Sequence, residues 1–161
     1  MKQIKDFLYT FIVSPEMIFI SIFGLLLYLS PSFFIQVAAK LNVAEGIIKP
    51  LALIPLGLLS LIIKQKNEIL FPDHELNAVL QKWPNYYLIT NRYWTCVLFE
   101  GISLMFTGCI WIGIQMYEID FKNYVVFALF VGGLVVSIIT YLTFLNSTIT
   151  IKRILFTIGQ E

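Results

Sequence analysis

The chain predicts an all-α integral membrane protein with four transmembrane helices. Three observations carry that expectation: four apolar runs of near-spanning length, an extreme composition, and charges gathered in the segments between the runs. Of 161 residues, 58% are hydrophobic and 13% charged, against roughly 45–50% and about 25% in soluble globular domains. A small single domain cannot hide so much apolar surface in a core, whereas the hydrocarbon of a bilayer accepts it. The length suits one domain, residues 1–161.

The first span is read over residues 17–39. Ser14 is placed to cap it, Pro15 suits the first helical position, and Glu16 complements the positive end of the helix dipole. Pro31 predicts a kink. Val37, Ala38 and Ala39 have the form of a signal-cleavage site, with Lys2 and Lys5 as a basic start. The apolar run exceeds the roughly 7–15 residues of a signal core, so the span is expected to be retained.

The second span, residues 47–63, is the weakest. Lys49 and Lys64 stand about 22 Å apart along a helix, short of a hydrocarbon core of about 30 Å. Snorkelling by both lysines covers the deficit. Pro50 fits a helix start and Pro55 removes an internal hydrogen bond, so a re-entrant hairpin is the alternative.

The third and fourth spans, residues 93–116 and 124–145, form a helical hairpin across the short polar link 117–123. The third contains one acid, Glu100, and the fourth no charge.

The loop 64–92 is the largest aqueous segment. Within it, residues 74–83 predict a short interfacial helix, with Asp73 as cap and Pro84 as terminator. Leu76, Val79, Leu80 and Trp83 fall on one apolar face. Trp83, Tyr86, Tyr87, Tyr93 and Trp94 fit an interfacial aromatic belt. The face serves as headgroup anchor or as a docking surface for a cytoplasmic protein. Asp73, His74 and Glu75 point about 100° apart on a helix and do not converge on a metal. In the tail, 147–161, Thr148 to Lys152 alternate like a strand, and Lys152 and Arg153 suit anionic headgroups or a docked partner.

Orientation follows the basic residues in short loops. Eight of the eleven (Lys2, Lys5, Lys64, Lys66, Lys82, Arg92, Lys152, Arg153) lie on one side, and Lys40, Lys49 and Lys122 on the other. Both termini, the loop 64–92 and the tail are therefore expected in the cytoplasm.

A polar stripe is the one constellation of note. At 100° per residue, Cys96, Glu100, Ser103, Thr107, Trp111 and Gln115 line one face of the third span. Such a stripe should face protein or water and not lipid. The other spans offer Ser21, Gly24, Tyr28 and Ser32; Gly57, Ser60 and Lys64; and Gly133, Ser137, Thr140 and Tyr141. Small residues and hydroxyls of this kind let helices pack closely. Glu100, Ser103, Thr107, Gln115 and Lys64 are thus candidates for a bundle seam or a pore lining. Glu100 either pairs with Lys64 or keeps its proton.

Several classes are excluded. A net charge of +1 and scattered basic residues give no track for nucleic acid. Cys96 and Cys109 are about 20 Å apart on one helix, too far for a disulfide. With one histidine and one intramembrane acid, no catalytic, metal or cofactor set can be assembled. The expectation is a non-enzymatic, self-associating membrane subunit that acts as anchor, sensor or effector for a cytoplasmic partner. The composition suggests a bacterial inner membrane, where defence or stress systems use such subunits. The alternatives are an oligomeric ion channel lined by the third-span stripe and a small secondary transporter.

Overall fold

The computed structural model describes residues 2–40, 45–66, 86–117, 120–121 and 123–158. The interfacial helix expected at 74–83, with Leu76, Val79, Leu80, Trp83 and the Asp73–Glu75 run, lies outside them. Among the described residues the secondary structure is entirely helical, with no strand. In chain order the helices are α1 (Lys2–Ile12), α2 (Pro15–Leu29), α3 (Pro31–Lys40), α4 (Glu45–Ala52), α5 (Ile54–Lys64), α6 (Tyr86–Tyr117) and α7 (Tyr124–Ile158). Among the described residues three stretches are long and apolar enough to cross a membrane: Ile47–Lys64, Tyr86–Tyr117 and Tyr124–Arg153. A fourth is reached if the bent pair Lys5–Ile12 and Pro15–Leu29, inclined by 49°, counts as one.

The first span is remodelled relative to expectation. Ser14 does cap α2, its Oγ accepting from the Met17 N–H at 3.2 Å, with Pro15 in the first turn. But the helix stops at Leu29, and Ser30 separates it from α3. Pro31 lacks the N–H that would continue the ladder, so it starts a new helix and does not kink the old one. Helix α1 was not foreseen. It packs on α6, where Phe11 stacks on Phe99 with centroids 4.8 Å apart.

The second span is broken as well, and its prolines exchange roles. Pro50 lies inside α4, and Pro55 opens α5 after a one-residue break at Leu53. Pro55 costs little there, because the first N–H groups of a helix have no intrahelical partner. The hydroxyl of Thr107, on α6, donates to the Ala52 carbonyl at the break (3.3 Å).

Two long helices, α6 and α7, form the antiparallel spine, and α1 to α5 pack around it. Both outrun the sequence expectation. Helix α6 begins seven residues before Tyr93, and α7 continues through the tail. The strand-like alternation of Thr148–Lys152 is therefore overturned. Thr148 and Thr150 each donate to the carbonyl four residues back, at 3.0 and 2.9 Å. β-Branched threonines fit a helix in this way, so period-two patterning misleads over five residues.

Packing along the spine falls into three layers. One apolar cluster joins Ile62, Tyr93, Cys96, Phe144 and Ile151. A second joins Ile48, Ala52 and Phe130, with Ile110, Trp111 and Leu134 against it. Between them lie buried polar residues, namely Glu100, Ser103 and Thr107 of α6 with Ser137 and Thr140 of α7. The outer surface is apolar, with Ile22, Leu25, Leu29, Met105, Leu142 and Ile149 all exposed. Lysines and tryptophans mark the two ends. Lys66 Nζ sits 5.8 Å from the Trp94 ring centroid, and Lys49 Nζ 6.0 Å from that of Trp111.

Candidate functional site: a buried polar ridge on the spine

Arg92, Cys96, Glu100, Ser103 and Thr107 follow one another at spacings of four, four, three and four, so they form one ridge on α6. The last four are buried, with relative exposures of 0–1%. Arg92, at 15% side-chain exposure, is the ridge's first member. The sequence alone makes it a loop charge, because the apolar run of the third span starts at Tyr93.

Three helices meet at Arg92. Its Nη2 lies 2.6 Å from Glu16 Oε1, on α2, and 2.7 Å from Thr143 Oγ1, on α7. Thr143 Oγ1 is also 2.8 Å from Glu16 Oε1. The hydroxyl thus accepts from the guanidinium and gives its own proton to the carboxylate, since a charged acceptor is the stronger one. Glu16 is fully buried, and its Oε2 has no protein partner. The helix-dipole role expected of Glu16 is real in position but minor beside this ion pair. A lone acid and a lone base flanking two apolar runs was the signal that could have revealed the pair.

Two turns further along, Glu100 Oε2 accepts a hydrogen bond from Ser137 Oγ at 2.6 Å. The expected Glu100–Lys64 pair is not formed. Lys64 is exposed at the end of α5, and Ser137 occupies the carboxylate instead. Glu100 Oε1 and Ser103 Oγ, both buried, have no hydrogen-bond partner among the described residues. Thr107 donates within α6, to Ser103 O at 3.0 Å, and across to Ala52 O. Opposite it, Gly133 leaves room for the Thr107 methyl: a Cβ at Gly133 would come within 3.1 Å of it. Gly132 likewise receives the Phe23 ring, at 2.9 Å from a Cβ position. A cleft of about 170 Å³ lies beside these glycines, lined by Phe19, Phe23, Ser103, Phe106 and Val136 among others.

The remaining stripe residues go elsewhere. Gln115 is exposed. Of the stripes on other spans, only that of α7 enters the seam, through Gly133, Ser137 and Thr140. Ser21, Gly24, Tyr28, Ser32, Gly57 and Ser60 all face outward. Ser21 and Ser60 satisfy their hydroxyls on their own backbones, at 2.8 Å each, which lets them sit in an apolar medium without a partner helix. Lys152 and Arg153 are exposed on the last turns of α7. Cys96 and Cys109 are both free thiols, the first buried and the second exposed. Among the described residues no group of His, Cys, Asp or Glu is arranged to hold a metal.

No known protein family, curated protein or solved structure matches the chain. The ridge must therefore be read from its own chemistry.

Proposed function

We propose that the chain is a non-enzymatic subunit of a bacterial inner membrane, with both termini cytoplasmic, that self-associates and serves as anchor, sensor or effector for a cytoplasmic partner. The carrying observation is that the polar ridge is buried inside the protomer. Glu100, Ser103 and Thr107 are buried against α7 and the α4–α5 break, so the face an oligomeric pore would need is already packed. This supports a scaffold over a channel. The fully buried Glu16, clasped by α6 and α7, supports the same reading, because a charged clasp fixes register more than it adds net stability.

Self-association draws support from the small-residue stripes that the protomer leaves outside. Ser21, Gly24 and Ser32, and Gly57 with Ser60, are exposed, and small residues let a second copy approach closely within a bilayer. The partner reading draws on the basic residues Lys64, Lys66, Lys152 and Arg153, which gather on one side in the expected topology.

The test has three parts on the full chain. In mild detergent it should run at a mass above one protomer. Reconstituted liposomes should stay tight to Na⁺, K⁺ and protons. Pull-down through the membrane-embedded chain should retain a cytosolic protein. Ion flux through the liposomes would overturn the scaffold reading, and a monomer retaining nothing would overturn the partner reading.

A further inference from the structure

Glu100 sits in the polar layer of the spine with half of its carboxyl group unused. Ser137 holds Oε2 by a hydrogen bond of 2.6 Å, so the group is fixed in place from α7. Among the described residues, Oε1 has no hydrogen-bond partner, and neither does Ser103 Oγ. These two residues are one turn apart on one helix face, and both are essentially inaccessible, at 0% and 1% exposure. Two unsatisfied buried oxygens on one face are costly, because each gave up its water on burial without gaining a hydrogen bond. That cost is removed if the pair binds something positive.

We propose that Glu100 and Ser103, positioned by Ser137, form a binding site for a single monovalent cation, a proton or a sodium ion, in the interior of the bundle. The Ser103 hydroxyl has both a free lone pair and a free proton. It can accept from a protonated Glu100, donate to an ionised one, or lend its oxygen to sodium beside the carboxylate. The two oxygens are not hydrogen-bonded to each other, so a bound ion, or a turn of the Ser103 side chain toward Glu100, supplies the contact that bridges them. Ser103 also borders the 170 Å³ cleft, whose other lining side chains are apolar.

The surrounding charges leave that role to Glu100. Helix α2 contributes Glu16, already neutralised by Arg92 of α6. Helix α6 also contributes Cys96, buried one turn away. Helix α7 faces the site with the uncharged hydroxyls of Ser137 and Thr140. Helix α5 packs with Ile62 and ends in the exposed Lys64. On α4, Lys49 lies at the far end, over Trp111, while α1 packs next to the site with the uncharged Phe11, stacked on Phe99. Occupancy needs no passage through the protein, so this site stands or falls separately from the scaffold reading.

A lipid-soluble carbodiimide tests it on the detergent-solubilised full chain, with the labelled residue located by mass spectrometry. The carboxyl proton moves to a carbodiimide nitrogen while the carboxyl oxygen adds to the central carbon. The acyl group then migrates to nitrogen, and the product is a stable N-acylurea with nothing lost or oxidised. The extent of labelling at Glu100 in a fixed time should depend on pH, falling at least tenfold from acid to alkaline conditions. Protection by sodium at fixed pH, absent with choline, identifies sodium; insensitivity to sodium identifies a proton. Glu100→Gln should lose the label and Glu16→Gln keep it. If Glu100→Gln fails to fold, Ser103→Ala decides: it should shift the labelling profile or abolish sodium protection, while Ser21→Ala does neither. No label on Glu100 at any pH, or a Ser103→Ala profile identical to that of the parent, would overturn the proposal.

Discussion

The Arg92 guanidinium lies 2.6 Å from the Glu16 carboxylate, joining two residues 76 positions apart and three helices through Thr143. Glu16 has no exposure of its own, so its charge depends on this partner. Removing one member of a buried pair typically costs about 3–5 kcal/mol, because the other charge is left uncompensated. Arg92→Ala and Glu16→Ala should each destabilise the bundle by an amount in that range. The double variant Glu16→Ala/Arg92→Ala should lose far less than their sum, with a coupling above about 1 kcal/mol. Equilibrium unfolding in mixed detergent micelles reads these values, and simple additivity would show that the clasp is not a unit.

Much of the architecture was legible because it rests on the spanning-length rule. Hydrocarbon thickness demands runs of about 20 apolar residues, and α6 and α7 coincide with the two clearest runs. The helix ends were not legible. Tyr86–Arg92 and Asn146–Ile158 carry polar residues that a hydropathy reading assigns to water, yet they extend the long helices. The α7 seam was half visible: the stripe of Gly133, Ser137 and Thr140 was recognised, and its partners on α6 were named, but not which residue meets which. The Glu16–Arg92 clasp was missed because each residue had a sufficient local explanation, and only the fold brings α2 beside α6. The stripes of α2 and α5 stay outside the protomer's own seam, which their residue types alone do not reveal. A serine that bonds its own helix backbone is as content facing lipid as facing protein.

Close packing across the spine makes a second prediction. A Cβ at Gly133 would meet the Thr107 methyl at 3.1 Å, and that side chain is pinned by its hydroxyl to Ser103 and Ala52. It cannot turn aside without losing those bonds. Gly133→Ala should therefore cost about 1–3 kcal/mol, the usual range for overpacking. Gly132→Ala should cost less, because the Phe23 ring that stands 2.9 Å away can tilt. Gly24 and Gly57 have open space around them, and alanine there should stabilise by up to about 0.5–1 kcal/mol, the entropic difference between the residues in a helix. The same unfolding assay distinguishes these outcomes, and equal effects at all four positions would contradict the packing.

The two thiols report on the same seam without any change of core residues. Cys96 is buried between α6 and α7, and Cys109 is exposed on the outer face of α6. In detergent, a small maleimide should modify the Cys96→Ser variant, through Cys109, at least tenfold faster than the Cys109→Ser variant, through Cys96. Unfolding should erase that difference. Mass spectrometry over a time course measures both rates, and comparable rates in the folded protein would place α6 in the wrong rotation.

The depth of the two spine tryptophans tests whether this bundle spans a bilayer as its dimensions suggest. Trp94 and Trp111 are 17 positions apart on one continuous helix, which places them about 25 Å from each other along its axis. Each carries a lysine close to its ring, Lys66 at 5.8 Å and Lys49 at 6.0 Å, and lysine with tryptophan is the pairing that settles at a membrane interface. The separation is just under the roughly 30 Å of hydrocarbon, so both rings should lie near the headgroups of opposite leaflets, with Glu100 between them. In liposomes, with the other tryptophans replaced by phenylalanine, lipids brominated high on the acyl chain should quench each ring more than lipids brominated near the chain end. An aqueous quencher confined to one side should reach one ring and not the other. Deep quenching of either ring, or both rings accessible from the same side, would show that α6 lies along the membrane and does not cross it.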